Sequence, residues 1–333
     1  MSTLATNALT LADWAKRVDP EGNIPTFVEI LAQTNEILED AMFVEGNLPT
    51  GHRVIVRTGL PTVYWRALNA GVPTSKSTTA QVDETVGMLE AYSEIDVKLA
   101  ALNGNTAAFR LSEDKAFIEA MSQEQAETML YGNPATDPKK YLGLAPRYSS
   151  LSAGNGGNII DALGTSSVNT SIWLVVWGDN TVFGTFPKGS SAGLKQEDLG
   201  EDTIIDSAGG RFQAYRTHFT WDNGLVVKDW RYVVRIANID TTNLVAESSA
   251  ADLIKLMVRA MAKIPNLGAG RAVFYMNRTV WTQLAIQGLN KSSSAVAVKE
   301  GLTQFGTPTM WATFLGIPMR RVDRLLNTEA RVT

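Results

Sequence analysis

The side chains able to do chemistry are few and scattered. The chain holds 2 histidines, His52 and His218, each inside a predicted strand and with no Asp or Glu at metal-ligand spacing beside it. Neither a His-based metal site nor a catalytic triad is expected from them. Glu197, Asp198, Glu201 and Asp202 could furnish the paired carboxylates of a glycoside hydrolase, with tryptophans gripping sugars. Their polar, Gly- and Lys-containing surroundings read instead as a solvated loop. Gly154-Asn155-Gly156-Gly157 follows no apolar strand, and Gly268-Ala269-Gly270 follows a helix, the reverse of the order a dinucleotide fold requires. Both read as turns, and neither a Walker-type lysine loop nor a Gly-x-Ser-x-Gly nucleophile elbow is expected. Cysteine is absent, which removes thiol catalysis, Cys-ligated zinc and disulfides, and fits a reducing compartment. The expectation is a protein with no catalytic, cofactor-binding or metal site.

Composition points toward contacts with protein. The 333 residues are 44% apolar, enough for one large core or two smaller ones, while only 19% are charged and 8 Trp, 8 Tyr and 11 Phe supply bulk for cores and interfaces. A net charge of −4 does not encode a general grip on phosphate backbones. The short runs Lys139-Lys140 and Arg320-Arg321 read as solvated faces or subunit salt bridges. The start Met1-Ser2-Thr3-Leu4 lacks the pattern of a signal peptide, and no apolar run approaches the ~20 residues of a membrane span. Neither signal-directed secretion nor membrane embedding is expected.

The elements that must position these residues can be read in outline. Residues 1–22 are weakly patterned and close on Asp19-Pro20-Glu21-Gly22, which predicts an extended arm. Thr26 and Glu29 make a capping box for a helix carrying Phe27, Ile30, Leu31, Ile37, Leu38 and Met42. Residues 51–66 read as a strand, and Glu94 to Leu99 as its return, around a small, polar segment from Asn69 to Ala80. The result is a long two-stranded ribbon with a flexible tip, which needs packing from elsewhere because isolated ribbons are marginal in water. Ser112 to Tyr131 reads as the longest helix, capped by Ser112 and stopped by Gly132-Asn133-Pro134. The middle is β-rich: Ser171 to Trp177, Val182 to Phe186, Gly210 to Trp221 and Leu225 to Ile236, with Asp222-Asn223-Gly224 as a hairpin turn. Ser249 should cap a helix ending at Pro265, Ala272 to Met276 is a buried strand, and Asn277 should cap the helix Arg278 to Gln287, closed by Gly288. Phe314 to Met319 and a strand Arg320 to Leu325 finish the chain.

This α+β order resembles the major capsid proteins of tailed phages with the Hong Kong 97-like fold. Three phrases carry the resemblance. Met129-Leu130-Tyr131-Gly132-Asn133, followed by Asp137-Pro138-Lys139-Lys140-Tyr141-Leu142-Gly143-Leu144, looks like the turn after the family's spine helix. Ala272-Val273-Phe274-Tyr275-Met276-Asn277-Arg278-Thr279 resembles the strand-to-helix step of its axial domain. Phe314-Leu315-Gly316-Ile317-Pro318-Met319 resembles the entry to its last peripheral-domain strand.

The resemblance implies an N-terminal arm over 1–23, a helix over 24–44, an extended β-ribbon loop over 45–100, and a peripheral domain over 101–240 with spine helix 112–131. An axial domain over 241–315 and a final peripheral strand over 316–333 would complete it. It implies a non-enzymatic head protein that self-assembles, as hexamers and pentamers, into an icosahedral shell around double-stranded DNA. That DNA would be touched only non-specifically at the inner surface. No long coiled-coil prosequence is visible, so a separate scaffolding protein is expected, with a portal and a cement protein as further partners and no membrane. The resemblance places the protein in the virion capsid, assembled in the host bacterial cytoplasm, with Lys76 at the loop tip as a candidate isopeptide donor. Two other readings stay open: a tail-tube or decoration subunit, and a β-rich carbohydrate-active enzyme using the 197–202 carboxylates.

Overall fold

The computed structural model describes residues 9–10, 13, 33–102, 106–206, 208–290, 296–302 and 308–333. In chain order its elements are α1 (Ile37–Asp40), β1 (Phe43–Glu45), β2 (Gly51–Gly59), β3 (Thr78–Asp96), α2 (Val97–Ala100), α3 (Thr106–Tyr131) and α4 (Leu144–Arg147). The β-rich middle follows as β4 (Ile159–Asp161), β5 (Asn169–Trp177), β6 (Val182–Phe186), β7 (Lys195–Ile205), β8 (Arg211–Val227) and β9 (Val233–Asp240). The chain ends through α5 (Thr241–Val245), α6 (Leu253–Lys263), β10 (Arg271–Met276), α7 (Arg278–Asn290), β11 (Val296–Leu302), β12 (Pro308–Phe314) and β13 (Ile317–Arg321). Two compact units result, one from Met1–Thr34, Met88–Gln125 and Gly193–Asp222, the other from Asn35–Gly87, Ala126–Ala192 and Asn223–Thr333.

The larger unit is built around β5, whose residues are buried along its whole length. Strand alternation splits its side chains between two cores. Trp173, Val175 and Trp177 join Met129, Leu130, Tyr148 and Tyr275 on one face, while Ile172, Leu174 and Val176 join Leu253, Met257, Val280 and Leu284 of α6 and α7 on the other. A strand covered on both faces reads as a continuous apolar run, which is why Ile172 to Trp177 stands out in the sequence. β5 pairs antiparallel with β9 and β10, β10 runs parallel to β13, and β13 leads through β12 to β11.

The last residues of the chain are fastened into this unit. The Glu329 backbone N–H donates to the Asn169 carbonyl at 2.9 Å, and the Asn238 amide bridges the backbone of Val332 with bonds of 2.8 and 2.9 Å. The Glu329 carboxylate accepts from Arg235 at 2.9 Å, from Tyr131 at 2.5 Å and from Ser171. Both charges are almost wholly buried, and burial first, then Glu329, pushes the Tyr131 hydroxyl well above its usual pKa. The phenol therefore stays protonated and donates to the carboxylate.

In the smaller unit β7 and β8 form an antiparallel hairpin, with a bulge between Asp198 and Gly200. Phe117 of α3 stacks on Phe219 of β8, and Phe109 joins Ile95, Leu99 and Ala100 in a small core.

Several elements depart from the sequence reading. Of the helix expected over 24–44, residues 24–32 lie outside the described residues; over 33–44 only Ile37–Asp40 is helical, and Phe43–Glu45 is a strand. The arm 1–23 lies outside them except at three positions. The return strand begins at Thr78, so Val63-Tyr64-Trp65 and most of Asn69 to Ala80 form an irregular tip, and Asp96 ends the strand by capping α2. Helix α3 starts six residues before Ser112, whose hydroxyl donates inside the helix to the Phe109 carbonyl. Gly132 ends it through close approach and not a left-handed backbone: an added Cβ would lie 2.4 Å from the Tyr141 carbonyl. Asp222-Asn223-Gly224 makes no hairpin, because β8 runs straight through it. Glu197 to Asp202 is strand, not loop. Asp252 caps α6 where Ser249 was expected, and α7 continues past Gly288 to Asn290. Asn277 does cap α7, its side-chain oxygen accepting from the Val280 N–H at 2.9 Å.

Candidate assembly surface

The ribbon of β2 and β3 combines a fixed root with a bare tip. The two strands pair antiparallel from Gly51↔Thr85 to Gly59↔Thr78. At the root Glu84 and Arg147 form a double hydrogen-bonded ion pair at 2.6 and 2.6 Å, and Arg147 also donates to the carbonyls of Leu142 and Leu225. Glu84 is buried. Such forked Arg–carboxylate geometry fixes direction as well as distance. Two glycines allow the backbones to close there: a Cβ on Gly51 would lie 2.0 Å from the Glu84 carbonyl, and one on Gly224 would lie 2.7 Å from that of Thr85.

One step further out, the Asn47 amide bonds both the N–H (2.7 Å) and the carbonyl (2.9 Å) of Arg53, filling one position on the open edge of β2. Arg53 in turn grips Asp83 across the strands at 2.6 and 2.8 Å, holding that carboxyl below its usual pKa. His52 packs edge-on against Phe183 at 5.3 Å, and burial first, then the nearby Lys228 charge, lowers its pKa.

Beyond Gly59 the packing stops. Residues 60–77 have no strand partner, and they close through an Ala67–Ala70 turn with Asn69 at φ 63 and a bond from Ser75 to the Thr62 carbonyl. Leu60, Val63 and Leu68 are 81%, 87% and 96% exposed, and Trp65 is fully exposed. Ile55 and Val72 are exposed as well. Single exposed apolar residues are ordinary, but a run on one projecting segment marks an interaction surface.

Of the residues weighed for catalysis, Glu197 and His218 stand opposite each other in the β7–β8 register, and Glu197, Asp198, Glu201 and Asp202 share strand β7. His52 sits at the ribbon root, whereas His218 lies in the smaller unit, stacked on Tyr92 at 4.3 Å and 3.3 Å from Glu90. Asp198 bonds Arg110 at 2.6 Å, which lowers its pKa, and Asp202 bonds Arg216 at 3.1 Å. These carboxylates lie on an exposed strand. Gly154 to Gly157 and Gly268 to Gly270 are turns and short 3-10 helices. Against the expectation that the sequence holds no Gly-x-Ser-x-Gly, Gly189-Ser190-Ser191-Ala192-Gly193 spells that string of a hydrolase nucleophile elbow. It forms a turn between β6 and β7 with no helix following, so the strand-turn-helix corner that activates such a serine is missing. Among the described residues no cluster of His, Asp and Glu could hold a metal, and no helix is long and apolar enough to cross a membrane. Lys76 is exposed at the tip. The fasteners Asn47, Glu84 and Arg147 were missed in the sequence, since Glu84 and Arg147 stand 63 residues apart with no local signal linking them.

Comparison with known proteins gives one family. The family model described as major capsid protein GP7 matches residues 19–333. A chain of the near-atomic cryo-EM structure of bacteriophage Epsilon15 is 34% identical, covers 100% of both chains and superposes with a TM-score of 0.79. More distant are a chain of Microbacterium phage Oxtober96 (11% identity, 68% of this chain and 98% of that one, TM-score 0.44) and one of the holo-SrpI encapsulin complex of Synechococcus elongatus (12%, 69% and 96%, 0.42). Among curated proteins no match is found.

Proposed function

The chain belongs to the family of major capsid protein GP7 and is a shell-forming protein of the phage virion, with the α+β, Hong Kong 97-like capsid fold; from that premise we propose that its ribbon is the clasp by which each copy holds the next. The observation that carries this is the bare apolar tip on a fastened root. Burying side chains the size of Leu60, Val63, Trp65 and Leu68 is worth roughly 1.5–3 kcal/mol each, and within its own unit the chain leaves that burial unrealised. A neighbouring copy supplies it.

A closed shell multiplies modest contacts, because every subunit is held by several neighbours at once. Copies would gather as hexamers and pentamers into an icosahedral container for double-stranded DNA, touched only loosely by a subunit of net charge −4. We assign residues 1–23 to an arm, 45–100 to the extended loop, 101–240 and 316–333 to the peripheral domain, and 241–315 to the axial domain. A separate scaffolding protein, a portal and a cement protein complete the partners, and assembly takes place in the host cytoplasm. No catalytic, cofactor or metal role is assigned.

Replacing residues 60–77 by a two-residue Asn-Gly turn tests the clasp. Gly59 and Thr78, which face each other in the register, already sit where such a turn would join the strands. The expected product is a folded, soluble subunit that yields no closed particles in electron micrographs. Normal shells from this variant would refute the proposal.

A further inference from the structure

Charge along the ribbon is one-sided. From Gly46 to Val82 there is no Asp or Glu, while Arg53, Arg57, Arg66 and Lys76 are all cationic. Only Arg53 has an ionic partner among the described residues, and Arg57, Arg66 and Lys76 are exposed. Strand β7 of the hairpin is one-sided in the opposite sense, while β8 brings Arg211 and Arg216. Glu197, Asp198, Glu201, Asp202 and Asp206 crowd a segment whose sole cation is Lys195.

Part of that negative charge is already committed. Asp198 is held by Arg110, Asp202 by Arg216, and Asp206 accepts from the N–H groups of Ala208 and Gly210 in its own turn. Glu197 has no ionic partner among the described residues, and Glu201 meets only the Tyr215 hydroxyl. β7 is exposed along nearly its whole length and pairs with β8 alone among the described strands. Leu199 and Ile205 interrupt the acids as exposed apolar positions, as Ile55 and Leu60 interrupt the cations of the ribbon.

Resting on the clasp reading above, we infer that the cationic ribbon of one copy seats on the acidic strand β7 of a neighbouring copy, with Arg57, Arg66 and Lys76 facing Glu197 and Glu201. Opposite potentials meet across such an interface, which orients the partners and rejects the like-charged alternatives of ribbon on ribbon and hairpin on hairpin. The contact joins two different patches of the same chain, so it is head-to-tail and closes into rings when the rotation allows. Duplex DNA would answer the cations but would leave the aliphatic Leu60, Val63 and Leu68 wet, so a protein surface is the better match.

Charge reversal tests the pairing in the full chain. Arg57→Glu with Arg66→Glu and Lys76→Glu should cut the yield of closed shells by about tenfold or more, as loss of interfacial charge pairs does. Glu197→Lys with Glu201→Lys should do the same, and joining both sets in one chain should restore shells. No rescue, or a defect from only one of the two sets, overturns the pairing; the tip-replacement experiment would then still decide the clasp by itself. Should a reversed chain fail to fold by circular dichroism, a second route remains because the protein has no native cysteine. Shells carrying Arg57→Cys and Glu197→Cys should run as covalent multimers after oxidation on a non-reducing gel, and monomer alone would overturn the inference.

Discussion

The central strand β5 and the ribbon tip are both rich in large apolar side chains, yet one is buried at every position and the other is bare. The difference lies in who supplies the covering surface. Around β5 the chain folds back on both faces, so Trp173 and Leu174 meet residues of the same copy. At the tip no element of the same unit returns over Trp65. Apolar content alone therefore does not tell a core from an interface; the sign is whether the chain brings back a second layer.

Breaking the core side of this contrast should have the largest effect. Glu329→Ala strands Arg235 as an unpaired buried charge, and the expected loss is about 3–5 kcal/mol of subunit stability in urea denaturation. A loss below about 1 kcal/mol would mean that the tail is not an integral part of the core.

The tip should answer oppositely. Trp65→Ala is expected to leave the denaturation midpoint of the isolated subunit within about 0.5 kcal/mol of wild type, as for other exposed substitutions. Removal of an interface anchor typically costs about 2 kcal/mol, which would raise the subunit concentration needed for assembly about 30-fold by light scattering. A destabilised subunit with unchanged assembly would reverse the roles assigned to the two regions.

The smallest effect sharpens the boundary between them at the ribbon root. Because His52 has a lowered pKa in the folded chain, the unfolded chain takes up the proton first as the medium is acidified. Its contribution is intact above the usual value of 6.5 and is lost as pH falls below it. His52→Gln should flatten the decline of stability between about pH 7 and about pH 5.5. An identical slope in both proteins would show that the ring titrates as it does in solvent.

How much of this could be read beforehand follows from where the determining contacts lie. β5 and the Asn277-capped α7 declare themselves through periodicity and local caps, which need only neighbouring residues. Asp222-Asn223-Gly224 has the letters of a hairpin but lies within one continuous strand. Gly224 is there so that the Thr85 carbonyl can approach, a reason visible only in three dimensions. β7 was hidden by its acids, which an exposed edge strand tolerates and which discourage unwanted pairing. The ribbon was visible in outline from its alternation and turn residues. Its fastening was not, because Glu84 meets Arg147 from a distant part of the chain.

The tethered tail has a consequence for timing. The Glu329 carboxylate fills a place beside Arg235 and Ser171 that nothing earlier in the chain fills among the described residues. Until this segment docks, Arg235 keeps its bonds to Ser171 and the Tyr148 carbonyl but lacks a carboxylate partner, so the larger unit is expected to complete its core only when Glu329 arrives.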